Sequence, residues 1–183
     1  MTRRAPTLDA LTAIAMKSRR LLIAIAGTAA VSAAALGIIA TRLRPVPAPA
    51  IHYTRLDGQR GELEALHGHV VLVNFWATDC APCVAEMPQL ASMWRRLSPL
   101  GFETLAVAMA DDPPFAVVEF TRVRQLPFTV AIDHDGAIAQ GFGGVPYTPT
   151  SVLIDRQGQV VARWIGPTDF DDLERQVRRL LRT

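Results

Sequence analysis

Cys80 and Cys83 are the two cysteines of this 183-residue chain, and two residues separate them. A secreted domain held together by disulfides would carry more cysteines, so the spacing indicates a redox pair or half of a metal site. Cys80 follows an apolar run and stands where a helix is predicted to begin. Backbone N–H groups at a helix N-terminus stabilise a thiolate, and Cys83 lies one turn further on the same face. We therefore expect Cys80 to be the exposed nucleophile and Cys83 the enclosed resolving cysteine.

A carboxylate follows the cysteine pair at the same helical interval. Glu86 lies three residues after Cys83 and continues its helical stripe. A partly buried carboxylate near a thiol pair can take or give a proton during exchange, so Glu86 is a candidate catalytic residue. The simpler interpretation is a solvated helix residue.

A second carboxylate, Asp79, directly precedes Cys80. Its charge disfavours a thiolate at the next residue by like-charge repulsion. We therefore predict that Asp79→Trp lowers the pKa of Cys80. If it does not, Asp79 selects a partner by its charge instead.

The apolar runs of residues 51–183 predict an α/β domain. Val70–Trp76 is continuous and rich in β-branched residues, which is typical of a central strand buried on both faces. The predicted order, βαβαββα, implies a mixed central sheet with helices on both faces. Other strands are predicted in residues 51–69 as a strand or hairpin, at Thr104–Ala110, at Phe128–Asp133, and on both sides of a turn at Arg156–Gly158. Helices are predicted from Cys80 to the segment RRLSPLG, from a start at Asp112, and in the closing segment TDFDDLERQVRRLLRT.

The N-terminal part of the chain carries a membrane signal. Leu21–Ala40 holds no charged residue, and about 20 residues at about 1.5 Å each span a hydrocarbon core. Lys17, Arg19 and Arg20 precede this run, which favours a cytoplasmic N-terminus and an exported C-terminal domain. We predict a short cytoplasmic segment (1–20) and a transmembrane helix or signal anchor (21–40). A cleaved signal peptide is the alternative, and Met16 is a possible second start.

A proline-rich stretch follows the apolar run. Residues 41–50 include the segment PVPAPA, and alternating prolines favour extended polyproline II. We therefore predict a semi-rigid linker over 41–50 and a folded domain over 51–183. The net charge of +2 is too small to indicate a nucleic acid partner.

Two segments resemble a known family. VVLVNFWATDCAPCVAEMP and GVPYTPTSVLIDRQGQVVARWIG, in this order and separation, resemble the thioredoxin superfamily. The likeness is closest to its membrane-anchored extracytoplasmic branch, which includes TlpA, ResA and CcmG (DsbE)-like proteins. It covers nearly all of residues 51–183. It implies a thioredoxin fold and thiol–disulfide exchange, with no metal and no cofactor besides the Cys80–Cys83 disulfide.

The resemblance also implies roles at single positions. Pro149 matches the cis-proline that lies beside the active cysteines, and Thr148 would pair with a substrate backbone. Glu86 matches the glutamate of the CxxCxxExP pattern. Asn74 stands where cytoplasmic thioredoxins have a buried aspartate. Asp79 departs from the pattern, because the family usually has tryptophan there.

The resemblance favours a reductase of exported protein disulfides, such as those of apocytochrome c or another exported metalloprotein. The expected location is the inner (cytoplasmic) membrane, with the C-terminal domain in the periplasm or outside the cell. The expected electron donor is a membrane thiol carrier of the DsbD/CcdA kind. The residues between the cysteines do not set a redox potential, so a disulfide oxidant or isomerase stays an alternative.

Three further alternatives come from other classes of protein. A metal-binding module would combine the cysteines with His67 and His69. A thiol peroxidase would need a threonine three residues before its cysteine, whereas Thr78 is two residues before Cys80. An interaction domain would leave both cysteines unused.

Overall fold

The apolar run Val70–Trp76 forms the central strand of the fold in the computed structural model, which describes residues 46–183. All seven of its residues are buried. The strands are β1 (Val46–Pro47), β2 (His52–Thr54), β3 (Arg60–Glu62), β4 (Val70–Trp76), β5 (Phe102–Ala108), β6 (Thr129–Ile132), β7 (Thr150–Ile154) and β8 (Gln159–Ile165). The helices are α1 (Ala81–Leu97), α2 (Pro114–Arg124), α3 (Ala137–Gly141) and α4 (Phe170–Leu180).

Six of the strands form one mixed sheet in the order β1-β8-β7-β4-β5-β6, and β2 and β3 form a separate hairpin. Strands β4, β5 and β6 are parallel, whereas β7 runs antiparallel to β4 and β8 antiparallel to β7. The predicted mixed sheet is confirmed. The carboxyl ends of β4 and β5 and the start of β7 therefore meet at one end of the sheet, the end where parallel sheets usually bind their ligands.

The side chains of β4 alternate between two apolar clusters, one on each face of the sheet. Leu72 and Trp76 pack with residues of α1, α2 and α4, whereas Val73 and Phe75 pack with residues of α3. A period of two is what a strand imposes on its side chains. Helices therefore cover both faces, as predicted.

The edge strand β1 corrects the predicted linker boundary. Val46 pairs with Val160 and Pro47 with Gln159, and the Ala48 N–H donates to the Gly158 carbonyl at 2.8 Å. Proline is tolerated at a sheet edge because its missing N–H is not needed there, and its extended backbone suits a strand as well as polyproline II. Residues 46–50 thus belong to the folded unit and not to a spacer.

Helix α3 was not predicted, because five residues are too few to show a helical period.

Within residues 46–183, no helix is both long enough and apolar enough to cross a membrane. The predicted cytoplasmic segment (1–20) and transmembrane helix (21–40) lie outside the described residues, as do residues 41–45 of the predicted linker.

Candidate active site

The two cysteines lie at the N-terminus of α1, directly after the loop that follows β4. They form a disulfide, with their Cα atoms 5.2 Å apart. Cys80 is the N-cap residue of α1, and its Sγ accepts a hydrogen bond from the Cys83 N–H at 3.3 Å. Cys80 is partly exposed, whereas Cys83 is 1% exposed. The helix N-terminus thus faces the sulfur that solvent can reach, which is the arrangement that stabilises a thiolate.

The loop before Cys80 is held by Asp112, a residue of the loop between β5 and α2. The Asp112 carboxylate accepts from the Thr78 backbone N–H at 2.7 Å and from the Thr78 hydroxyl at 2.5 Å. The prediction that Asp112 starts α2 places the helix correctly but misses this role. Pro113 is the N-cap residue of α2, and its side chain has no acceptor to cap the helix. The buried Asp112 carboxylate bonds to the cysteine loop instead.

The predicted cis bond is present between Thr148 and Pro149. Phe75 of β4 lies opposite Thr150 of β7. Thr148 and Pro149, which directly precede Thr150, therefore lie beside the loop that leads from β4 to Cys80. Pro149 is buried, and its carbonyl accepts from the Gly166 N–H at 2.8 Å. Thr148 is partly exposed, so it can be reached by a partner chain at this end of the sheet.

Glu86 is half-buried on α1 and bonds to Thr168, which lies in the loop between β8 and α4. The Thr168 N–H donates to Oε1 at 2.5 Å, and the Thr168 hydroxyl lies 3.4 Å from Oε2. Burial raises the pKa of the Glu86 carboxyl, and the two bonds from Thr168 oppose that rise. Glu86 is therefore not a fully solvated helix residue.

Asn74 lies under the site in β4 and is 4% exposed. Its Nδ2 donates to Ser151 Oγ at 3.0 Å, and Ser151 Oγ lies 3.4 Å from Thr168 Oγ1. Ser151 and Thr168 were not predicted as site residues. The contact depends on the β4–β7 register, which puts Ser151 directly opposite Asn74 and which the sequence does not reveal.

Asp79 is exposed directly before Cys80, so its charge is at the entrance to the site. The two histidines of the alternative metal site are far from the two cysteines. His67 and His69 precede β4 and the cysteines follow it, so the seven-residue strand separates the two groups by about 20 Å. The Thr78 hydroxyl, whose spacing from Cys80 does not match that of a peroxidase, donates to Asp112.

Residues 45–177 match the sequence model of the redoxin family. The chain belongs to this family. It is 36% identical over 133 residues to the thiol-disulfide oxidoreductase ResA of Bacillus thuringiensis subsp. konkukian, which covers 73% of this chain and 76% of the relative. ResA of Geobacillus kaustophilus is 32% identical and covers 73% of this chain and 75% of the relative.

A solved structure also resembles this redoxin-family chain. The thiol:disulfide interchange protein of the thioredoxin family from Chlorobium tepidum superposes with a TM-score of 0.70 at 28% identity. The match covers 75% of this chain and 97% of that protein. The fold is the thioredoxin fold, and the chain is a thiol–disulfide oxidoreductase whose Cys80–Cys83 pair has the spacing that exchange requires.

Proposed function

We propose that this redoxin reduces disulfides of exported proteins from a membrane anchor, with its catalytic domain outside the cytoplasm. The observation that carries the proposal is the asymmetry of the cysteine pair. Cys80 is accessible at the N-terminus of α1, whereas Cys83 is buried one turn before Glu86. Such a pair can attack a partner disulfide with one sulfur and release the partner with the other.

The exchange then takes place in two steps. The Cys80 thiolate attacks one sulfur of the substrate disulfide, and the second substrate sulfur leaves as a thiolate and takes a proton from solvent. The Cys83 thiolate next attacks Cys80 Sγ, which breaks the mixed disulfide and forms the Cys80–Cys83 bond. The first substrate sulfur leaves as a thiolate and also takes a proton. Two electrons have passed from the pair to the substrate.

Glu86 serves the second step. A buried thiol resists ionisation because the apolar surroundings disfavour the thiolate, so Cys83 needs a base within reach. Glu86 follows it by one helical turn, and its raised pKa lets it hold the proton that Cys83 releases. Asp79 stands outside this proton path and tunes Cys80 or selects the partner.

Thr148 and Pro149 form the substrate platform in this proposal. They lie at the end of the sheet that is next to Cys80, and Thr148 is accessible to the backbone of a partner chain. An extended substrate segment would pair at this end of the sheet and present its disulfide to Cys80.

The site of action is inferred from the N-terminal sequence. The uncharged run Leu21–Ala40 and the basic residues before it favour an anchor in the inner membrane with the domain on the outer side. The substrates proposed are apocytochrome c or another exported metalloprotein. The proposed donor is a membrane thiol carrier of the DsbD/CcdA kind.

The direction of electron flow is tested by the equilibrium potential of the Cys80–Cys83 pair against glutathione. A reductase should lie near the thioredoxin value of roughly −270 mV. A potential near −120 mV, the value of a strong oxidant, would overturn the reductase and favour the oxidant or isomerase.

Substrate and location are tested together in cells with the full chain. The Cys83→Ser variant should accumulate mixed disulfides through Cys80 with exported proteins. The matched Cys80→Ser variant should trap none. Trapping of cytoplasmic proteins alone would contradict the exported location.

A further inference from the structure

A row of four polar side chains connects the centre of the sheet to Glu86. Asn74 Nδ2 lies 3.0 Å from Ser151 Oγ, which lies 3.4 Å from Thr168 Oγ1, which lies 3.4 Å from Glu86 Oε2. Asn74 and Ser151 are 4% and 1% exposed, so solvent does not compete for their bonds. Four separate elements contribute to the row: β4, β7, the loop before α4, and α1.

The Asn74 amide gives this row a direction. Its Nδ2 donates to Ser151, so the Ser151 hydroxyl is free to donate to Thr168. The Thr168 hydroxyl can then donate to Glu86, and every donor in the row points toward the carboxylate. An amide group does not titrate, so Asn74 holds this direction at all ordinary pH values.

The two 3.4 Å distances in the row, from Ser151 to Thr168 and from Thr168 to Glu86, are compatible with a site in which no reaction is taking place. Hydroxyl–oxygen bonds are usually shorter than 3.0 Å, and catalytic hydrogen bonds often shorten only when charge develops. The backbone N–H of Thr168 already donates to Oε1 at 2.5 Å, and this bond keeps the Thr168 hydroxyl beside Oε2, at 3.4 Å.

We propose that Thr168 is a positioning residue for Glu86, and that Asn74 and Ser151 orient the Thr168 hydroxyl toward the carboxylate. The proposal deepens the proposed function, because it rests on Glu86 as the proton partner of Cys83. It also gives asparagine at position 74 a task that an aspartate there could not perform. An ionised aspartate would accept from Ser151 and reverse the row.

The charged and titratable groups around Glu86 are few. Cys83 lies on its own helix and is disulfide-bonded in the oxidised protein. On the facing loop, Asp169 follows Thr168, and its carboxylate accepts from the Asp172 N–H at 3.0 Å as the N-cap of α4. The shift of the Glu86 pKa arises from burial and from Thr168. A response of Glu86 to Thr168 variants therefore reports on the row itself.

The first experiment follows the Glu86 carboxyl by carbon NMR during a pH titration of the oxidised protein. Thr168→Val removes the hydroxyl and keeps the backbone N–H, so the pKa of Glu86 should rise above that of the wild type. Thr168→Ser keeps a hydroxyl and should restore it. Thr104→Val is the matched control, since this buried threonine lies in β5 outside the row. A Thr168→Val titration that coincides with the control overturns the proposal.

A double-mutant cycle tests the two remote members. Asn74→Asp should raise the pKa of Glu86 in a Ser151 background and have a smaller effect in a Ser151→Ala background, because the row is already broken there. Equal effects in both backgrounds would mean that Asn74 acts by charge or packing alone, which overturns its role.

The rate of resolution separates this proposal from the proposed function. Thr168→Val leaves the carboxylate less firmly held and more often protonated before exchange, so less of it is available as a base. Release of a trapped mixed disulfide should therefore slow by about fivefold, the ordinary value of one hydrogen bond, and Thr168→Ser should recover it. If the Glu86 titration moves and Glu86→Gln releases substrate at the wild-type rate, the row stands and Glu86 is not the proton partner.

Discussion

The Asp112 carboxylate accepts both hydrogen bonds that Thr78 can donate, one from its backbone N–H and one from its hydroxyl. These residues are 34 positions apart, so the bonds join the loop after β4 to the loop after β5. Thr78 lies two residues before Cys80, the N-cap of α1. The position of the Cys80 sulfur is therefore set partly by a carboxylate on a different loop.

The first prediction concerns this pair of residues. Asp112→Ala leaves two Thr78 donors without their buried acceptor, which should lower the free energy of unfolding by about 2 kcal/mol. It should also slow disulfide exchange, because Cys80 is no longer held at the helix start. Denaturant unfolding and insulin reduction measure the two effects. Asp111→Ala, at the exposed neighbouring residue, is the control, and equal losses in both variants would contradict the role of Asp112.

The second prediction is a pH dependence of stability caused by Glu86. Burial raises its pKa above 4.5 in the folded protein, so between 4.5 and the raised value the folded state holds a proton that the unfolded state has released. The free energy of unfolding therefore falls as pH rises through this window. Glu86→Gln removes the carboxyl, so its stability relative to the wild type should increase across the window and then stay constant.

Urea unfolding of the oxidised protein, in pH steps from below 4.5 to neutral, measures this difference. Glu64→Gln, at an exposed glutamate of the turn before β4, is the control. Wild-type and Glu86→Gln curves that stay parallel over the whole range would contradict a raised pKa at Glu86.

Local patterns were sufficient to predict the parts of this protein that are continuous in sequence. The apolar run Val70–Trp76 predicted the central strand because burial on both faces removes polar alternation. The helix start at Cys80 placed both sulfurs correctly, since three residues make about one helical turn.

Contacts between distant segments were the part that could not be predicted. Ser151 and Thr168 have common hydroxyl side chains, and only the β4–β7 register and the loop before α4 bring them to Asn74 and Glu86. Asp112 bonds to a loop instead of capping its own helix, because a tertiary partner replaced the local one. Strand β1 was missed because an extended proline-rich segment has nearly the same backbone angles in a linker as in an edge strand.

The third prediction is a gain in stability at Thr104. Its side chain in β5 is 1% exposed, and its Oγ1 has no hydrogen-bond partner among the described residues. Thr104→Val replaces an unpaired hydroxyl by a methyl group of similar size and should stabilise the protein by about 1 kcal/mol. Thr150→Val is the contrasting variant, because the buried Thr150 hydroxyl donates to the Tyr147 carbonyl at 2.6 Å. Thermal unfolding should shift upward for the first and downward for the second. Equal losses would contradict the prediction.

The fourth prediction concerns the loop that carries Thr148. The Arg163 guanidinium donates to the Phe142 carbonyl at 2.6 Å and also to the Gly144 carbonyl, so it holds the start of this loop from β8. Arg163→Leu should raise KM for a protein disulfide about fivefold with little change in kcat, because the loop that pairs with the substrate backbone is less well placed.

Reduction of a small aromatic disulfide should be unaffected by Arg163→Leu, since that substrate has no backbone to pair. Arg156→Leu is the matched control. Arg156 also donates to two backbone carbonyls, those of Leu100 and Leu181, but from the β7–β8 turn at the other end of β7. A similar rise in KM in the control would mean that Arg163 acts through general stability.

The last prediction concerns Asp79, the exposed carboxylate beside Cys80. In the reduced protein, its charge opposes a thiolate at Cys80, so both Asp79→Asn and Asp79→Trp should lower the pKa of that thiol. The ultraviolet absorbance of the thiolate follows the titration, and Asp111→Asn gives the same change in net charge on a neighbouring loop. The shift should diminish at high salt, because exposed charges are screened. A shift with tryptophan but not with asparagine would mean that ring packing, and not charge, sets the reactivity of Cys80.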